Sequence, residues 1–214
     1  MTYGHLIGEV IRRITGLRLG EFFAAHVAGP LGTDFHIGLP LSEFHRATKV
    51  VPPPLPSDSP PFNPTQLDPN SVAFKTWTNP NMPEQEYHWT ENWRRADIGA
   101  ANGHGNARSV ARLQSAVACG EVDGVRLLSP QTIDRIFEVQ SNGIDLVIGI
   151  PLKFGVGYSL GPEGRVCSWG GTGGSTVIID VDRRITFAYV MNKMAPAAVI
   201  APALAERLKD IVTR

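Results

Sequence analysis

This 214-residue sequence lacks any excess of charge of one sign: 20 Lys and Arg stand against 20 Asp and Glu. A chain of zero net charge has no electrostatic means of gathering nucleic acid or an anionic membrane, and neither is expected as a partner. Cysteine is scarce. Two residues, Cys119 and Cys167, cannot build a disulfide framework, and neither has metal-ligating neighbours, so a reducing compartment is the plainer reading. Long hydrophobic runs are missing too. None approaches the roughly 18 residues of a spanning helix, and the first residues carry no signal-peptide pattern. No transmembrane segment and a cytoplasmic location are the expectations.

Glycine and proline are abundant, at 22 and 17 residues, while hydrophobic residues make up 43%. That is an ordered globular composition with long loops. Residues 1–47 read as helices. Leu6, Ile7, Val10, Ile11 and Ile14 recur at helical spacing with Glu9, Arg12 and Arg13 on another face, and Gly16 is placed as a C-terminal stop. A second helix runs through Leu19, Phe22, Phe23 and Val27 and closes at Gly29-Pro30-Leu31-Gly32.

Residues 48–100 hold ten of the prolines together with Trp77, Trp89 and Trp93. Large aromatics are costly to leave in water, so this stretch reads as an ordered loop region packed on a body, either a pocket wall or a plain core cover. Residues 101–214 read as helices and antiparallel strands. Helices are expected at 107–118, 130–139 and 199–212, and strands at 154–160, 165–169, 176–180 and 185–191, the last two joined by the turn Val181-Asp182-Arg183-Arg184. Short turns between strands give α+β architecture: an antiparallel sheet flanked by helices.

Catalytic patterns are thin. Gly157-Tyr158-Ser159-Leu160-Gly161 has the form of a nucleophile elbow, but a turn and another strand follow it, and all six histidines precede Ser159. An elbow needs a strand-to-helix turn with acid and histidine downstream, so this match is a decoy. A lysine one helical turn after a serine would serve as its base. The eleven serines have His45, Pro60, Phe62, Phe74, Arg112, Ala118, Thr132, Ile144, Pro162, Gly171 and Ile178 at that position, and no lysine. Ser109 with Arg112 comes nearest, yet a guanidinium does not deprotonate in a protein. No catalytic residue is assigned within the chain.

His88 with Glu84, Glu86 and Glu91 lacks the spacing of a metal site, and no metal or cofactor is expected. Asn102-Gly103-His104-Gly105-Asn106 offers either backbone donors for an anion or a helix cap. In Trp169-Gly170-Gly171-Thr172-Gly173-Gly174-Ser175, four glycines at a strand end bare the backbone. A substrate can then approach main-chain N–H groups, although a simple glycine-rich bend would look the same.

Taken together, Tyr3–Gly16, Gly29–Gly32, His104–Ser109, Trp169–Ser175 and Asp182–Asn192 resemble the β-lactamase-related serine hydrolases. That family comprises class C β-lactamases, penicillin-binding-protein-like carboxypeptidases and family VIII esterases, and the match looks closest to the esterase branch. The resemblance implies an antiparallel sheet with a helical region beside it and a site in the groove between. It also implies acyl transfer: a serine attacks an ester or lactam carbonyl while a lysine and a tyrosine handle protons. Trp169-Gly170-Gly171 is similar to the third family box of esterase-like members. A tryptophan there supplies an apolar wall and no ammonium for a substrate carboxylate, favouring esters over penicillins. Gly173, Asn192 and His104 are expected at the pocket wall.

The family's Ser-x-x-Lys box and its tyrosine would fall before Met1. Tyr3 does not inherit that tyrosine's role and is expected to pack at the start of the first helix. By resemblance the chain is the C-terminal portion of such a hydrolase, with a small-molecule ester or lactam as substrate if complemented by the N-terminal part. A non-catalytic binding protein on the same fold is the alternative. Without partner strands, the sheet is expected to expose an apolar edge.

Overall fold

A computed structural model describes residues 2–52, 63–79, 85–171 and 173–195, with the backbone alone for 85 and 86. The expected helix at 199–212 lies outside the described residues.

The first helix, α1 (Thr2–Thr15), ends as expected at Gly16, whose φ of 78° is the left-handed value that glycine tolerates. Its buried face is the one that carries glycines. Gly4 is the buried residue of the helix, with Gly8 and Ile11 half-buried beside it, while Leu6, Ile7, Val10 and Ile14 are exposed. A Cβ on Gly4 would lie 2.5 Å from the Ala100 nitrogen, and one on Gly8 would touch Leu19. The glycine face thus brings the helix backbone against the body, and the apolar stripe points outward. Tyr3, in the first turn, is also exposed and does not pack there.

The second helix, α2 (Leu19–Phe23), continues into a π-helical turn over Ala24–Ala28 before the Gly29–Gly32 stop. A short strand the sequence did not betray, β1 (Phe35–Ile37), follows within the helical stretch 1–47. It pairs antiparallel with β2 (Gly103–Gly105), His36 opposite His104. Phe35 lies across the two glycines: a Cβ on Gly103 would come within 2.6 Å of the ring, and one on Gly105 would clash as well.

Between them, α3 (Val72–Thr78) and α4 (Glu91–Arg95) are short helices capped by the side chains of Ser71 and Thr90. The tryptophans of this region are tied down as expected of ordered loops. Trp89 donates its indole N–H to the Val50 carbonyl at 3.3 Å, Trp77 donates to Val147 at 3.4 Å, and Trp93 packs edge-on against His88 at 4.3 Å. Buried Asn102 is the junction. Its amide donates to the carbonyls of Trp93 (2.7 Å) and Ala96, and its oxygen accepts from the Ile98 N–H.

The main body begins with α5 (Ala107–Ala118), whose N-cap Asn106 accepts from the Ser109 N–H, and α6 (Pro130–Ile136), capped by Ser129 with Pro130 in its first turn. A six-stranded antiparallel sheet follows in simple sequential order: β3 (Ser141–Ile144), β4 (Pro151–Phe154), β5 (Ser159–Leu160), β6 (Val166–Gly170), β7 (Thr176–Asp180) and β8 (Ile185–Tyr189). The run expected as one strand over 154–160 is two, broken by a turn in which the Gly155 N–H donates to the Tyr158 carbonyl and Gly157 has φ 84°. The core lies where α5 and α6 meet the sheet: Val117, Ala118, Ile133 and Ile136 pack with Cys167, Val177 and Ile179. The turn after β7 is as expected, with Arg184 at φ 59° and the Asp180 carboxylate accepting from the Arg183 N–H.

Among the described residues, the outer strands β3 and β8 each pair with one neighbour. The exposed apolar surface is not at β8, where Ile185, Phe187 and Tyr189 are half-buried. Exposed large apolar side chains include Leu6, Ile7, Val10 and Ile14 on α1, Ile144 on the outer strand β3, and Leu146, Ile148 and Ile150 in the turn that follows it. That turn is held rigid by Asp145, whose carboxylate accepts from the N–H groups of Val147 (2.8 Å) and Ile148 (3.0 Å) and is lowered in pKa by them.

Candidate functional site

The Trp-Gly-Gly segment sits at the far end of β6, past the point where the core ends. Along β6, Cys167 is fully buried and paired with Ile179, whereas Trp169, paired with Val177, is 53% exposed. Two residues of strand carry the chain from the hydrophobic interior to the open surface. The Trp169 ring meets Phe154 at 5.7 Å between centroids. Phe154 in turn borders a shallow hollow with Ser141, Gly143, Asp145 and Leu152.

The glycines of this segment serve different ends. Gly171 donates its N–H to the Ser175 carbonyl at 2.8 Å, and a Cβ there would lie 2.6 Å from the Ser175 hydroxyl. A Cβ on Gly173 would collide with the Met191 side chain. Both positions are thus packed under neighbouring side chains, which would have to move to admit a Cβ. At Gly170, a Cβ would meet only the Ser175 carbonyl at an ordinary 3.5 Å, so the fold itself does not demand a glycine. Because Gly171 bonds toward β7, the alternation of a strand points the Gly170 N–H to the opposite edge. On that side β5 pairs only with Cys167 and Ser168.

Gly173 and Asn192 come together through the segment after β8. The Gly173 carbonyl accepts from the Ala195 N–H at 3.0 Å, the Asn192 carbonyl accepts from Val51 at 2.7 Å, and Val51 accepts from Met194 at 2.8 Å. This places the start of the proline-rich region beside the glycine-rich bend. His104 lies in the other sheet, opposite His36. Its Nε2 is buried without a hydrogen-bond partner, and burial, with Arg94 and His36 nearby, pushes its pKa down. The Gly103–Gly105 segment forms strand and the Asn106 cap; the glycines make room for Phe35.

The remaining candidates carry no activated group. Ser159 stands within the sheet, paired with Phe154 and Ser168, and not at a strand-to-helix elbow. Burial pushes the Cys167 thiol up to about 12, so no thiolate forms there at neutral pH. Tyr158 is also raised to about 12, chiefly by burial, while its hydroxyl donates to Gln114 at 2.7 Å. Among the described residues, no cluster of three or more metal-ligating side chains occurs. No described helix is long and apolar enough to cross a membrane.

The antiparallel sheet with helices against it is the architecture of the penicillin-binding-protein and β-lactamase fold. It is shared with a penicillin-binding-protein homologue from Caulobacter crescentus (34% identity, TM-score 0.72, covering 90% of this chain and 52% of that one). A family VIII carboxylesterase is similarly related (32% identity, TM-score 0.77, 91% and 52%). The family model described as Beta-lactamase matches residues 1–209, and the chain belongs to that family of serine hydrolases. Among curated proteins it is similar to Esterase/beta-lactamase LipL of Mycobacterium tuberculosis, 28% identical over 218 residues, which covers 91% of this chain and 47% of LipL. The chain thus spans about half the length of the relatives it matches.

Proposed function

We propose that this chain supplies the substrate-wall half of a β-lactamase-like serine esterase, which cleaves carboxylic esters once a segment bearing Ser-x-x-Lys and the family tyrosine completes the site. Gly170 carries this reading. It is a glycine the fold does not require, beside a half-exposed Trp169, at a strand end open to approach. The likeness to a family VIII carboxylesterase and to LipL supports the ester class.

In the completed site the serine oxygen adds to the ester carbonyl, the alcohol leaves, and water then releases the acid from the acyl-serine. This chain contributes the wall that orients the substrate. Trp169 and Phe154 offer apolar area to the acyl or alcohol part, and the Gly170 N–H faces the open edge as a donor. Gly171 is not that donor, because its N–H is committed to Ser175. Gly173 and Asn192 shape the adjoining wall, and His104 acts by supporting the loop between α4 and α5. The indole of Trp169 provides no cation for a penicillin carboxylate, so esters are favoured over β-lactams.

Co-expression tests this reading. The chain is produced with the part of the family VIII carboxylesterase that its match leaves uncovered, and p-nitrophenyl butyrate hydrolysis is measured. Hydrolysis that appears only with both polypeptides, and falls when Gly170 is replaced by Val, is the expected result. Equal hydrolysis by this chain alone would overturn the reading, and a pair that associates without hydrolysing would favour a binding role.

A further inference from the structure

The hollow beside Phe154 has a cause in the pairing of β3 with β4. Ser141 stands opposite Phe154, and Gly143 stands opposite Leu152. Residues directly opposite share a face, so Leu152 and Phe154 line one side of the pair with only Ser141 and a glycine across from them. A Cβ on Gly143 would meet nothing within 4 Å. The space left over Leu152 is an open hollow of about 150 Å³, a volume that holds a benzene-sized group. The Phe154 ring joins this hollow to Trp169, with 5.7 Å between ring centroids, and Gly170 follows Trp169 in the chain. Leu152 lies two residues before Phe154, about 6.6 Å along the strand. An apolar track therefore continues past the aromatic pair.

Charge narrows what the track accepts. The Asp145 carboxylate lines the hollow. The N–H groups of Val147 and Ile148 hold its pKa below the usual carboxylate value, so it is ionised at neutral pH. Lys153 falls on the opposite face by strand alternation. A neutral apolar group is admitted, and a group ending in a carboxylate is repelled.

We infer that the track from Trp169 over Phe154 into the hollow beside Leu152 is the subsite for an uncharged alkyl or aryl substituent of the ester. The inference rests on the functional reading above and narrows its substrate class, but its binding step is measurable without catalysis. An acyl chain and an alcohol chain present the same chemistry here, so the probes must separate them.

The test titrates the whole isotope-labelled chain with methyl butyrate, methyl octanoate, octyl acetate and monomethyl suberate, and follows amide and indole N–H signals by NMR. Methyl octanoate or octyl acetate is expected to shift Gly143, Leu152, Phe154 and the Trp169 indole saturably. The Kd should be about tenfold below that of methyl butyrate, which fewer than two fully buried methylenes suffice to give. Tighter binding of methyl octanoate assigns the track to the acyl chain, and tighter binding of octyl acetate assigns it to the alcohol. Monomethyl suberate, with a carboxylate at the far end of the same chain, should bind at least about tenfold more weakly than methyl octanoate. Leu152→Ser should abolish the advantage of the longer chain. Ser141→Glu, at an exposed position, adds a carboxylate at the hollow without removing packing and should do the same. Leu6→Glu makes the corresponding change on the exposed stripe of α1 and should alter nothing.

The inference is overturned if the longer esters shift no signals or only those of α1, if monomethyl suberate binds as tightly as methyl octanoate, or if Ser141→Glu keeps the parental Kd. Binding in the hollow without hydrolysis by the co-expressed pair would sustain the subsite and contradict the catalytic reading. Hydrolysis by the pair without such binding would do the reverse.

Discussion

Two helices of this chain, α1 and α5, have similar length and clear amphipathic patterns, yet they meet opposite fates. The helix α5 buries Ala116, Val117 and Ala118, the last two in the core shared with α6, Cys167, Val177 and Ile179. The helix α1 buries only Gly4 and turns its largest apolar side chains to the surface. An apolar stripe therefore does not by itself decide which face of a helix is buried. Around the sheet the described residues close a core, whereas α1 presents its large apolar side chains at the surface.

This contrast makes the energetic consequences unequal. Ile179→Ala, at a fully buried core position, should cost about 2–5 kcal/mol in urea unfolding. A loss below about 1 kcal/mol would mean that the sheet core is not the stabilising centre. At the glycine-rich bend, Gly173→Ala should cost about 1 kcal/mol, because the flexible Met191 and Met194 side chains must move aside. Gly170→Ala should remain within about 0.5 kcal/mol. Equal losses at the two would erase the distinction between a structural glycine and one left open for a ligand.

Acid sharpens the comparison at the β1–β2 pair. His104 has its folded-state pKa below the ordinary 6.5, so the unfolded chain takes up its proton first as pH falls. Its contribution to stability is complete above that ordinary value and is lost progressively as pH drops from there toward the depressed folded value. Thermal melts between pH 7.5 and 5 should show this decline, and His104→Gln should flatten it. An unchanged slope in the variant would assign the decline to other groups. The smallest effect is expected on α1, where Val10→Ala should change stability by no more than about 0.5 kcal/mol. A larger loss would show that the exposed stripe already packs within this chain.

Much of the body was legible from local chemistry. Asn106 and Ser129 cap α5 and α6, period-two runs mark β6 to β8, and the Val181–Arg184 turn joins the last two strands. What escaped depends on distant neighbours. β1 and β2 are three residues each and exist because Phe35 covers Gly103 and Gly105, a contact across nearly seventy residues of chain. On α1, periodicity reveals the apolar stripe but not which face is buried, which close backbone packing at Gly4 and Gly8 decides. At the site, the run of glycines was readable, but not their division of labour. That became visible only when Ser175, Met191 and Met194 were seen around Gly171 and Gly173 and nothing comparable around Gly170.

The proposed function requires that this chain supply a substrate wall and that its serines not act as nucleophiles without a completing segment. The most direct test is intact-mass spectrometry of the purified 214-residue chain after treatment with a fluorophosphonate. The mass should remain that of the unmodified polypeptide. A stoichiometric adduct on any serine, Ser159 included, would contradict the account.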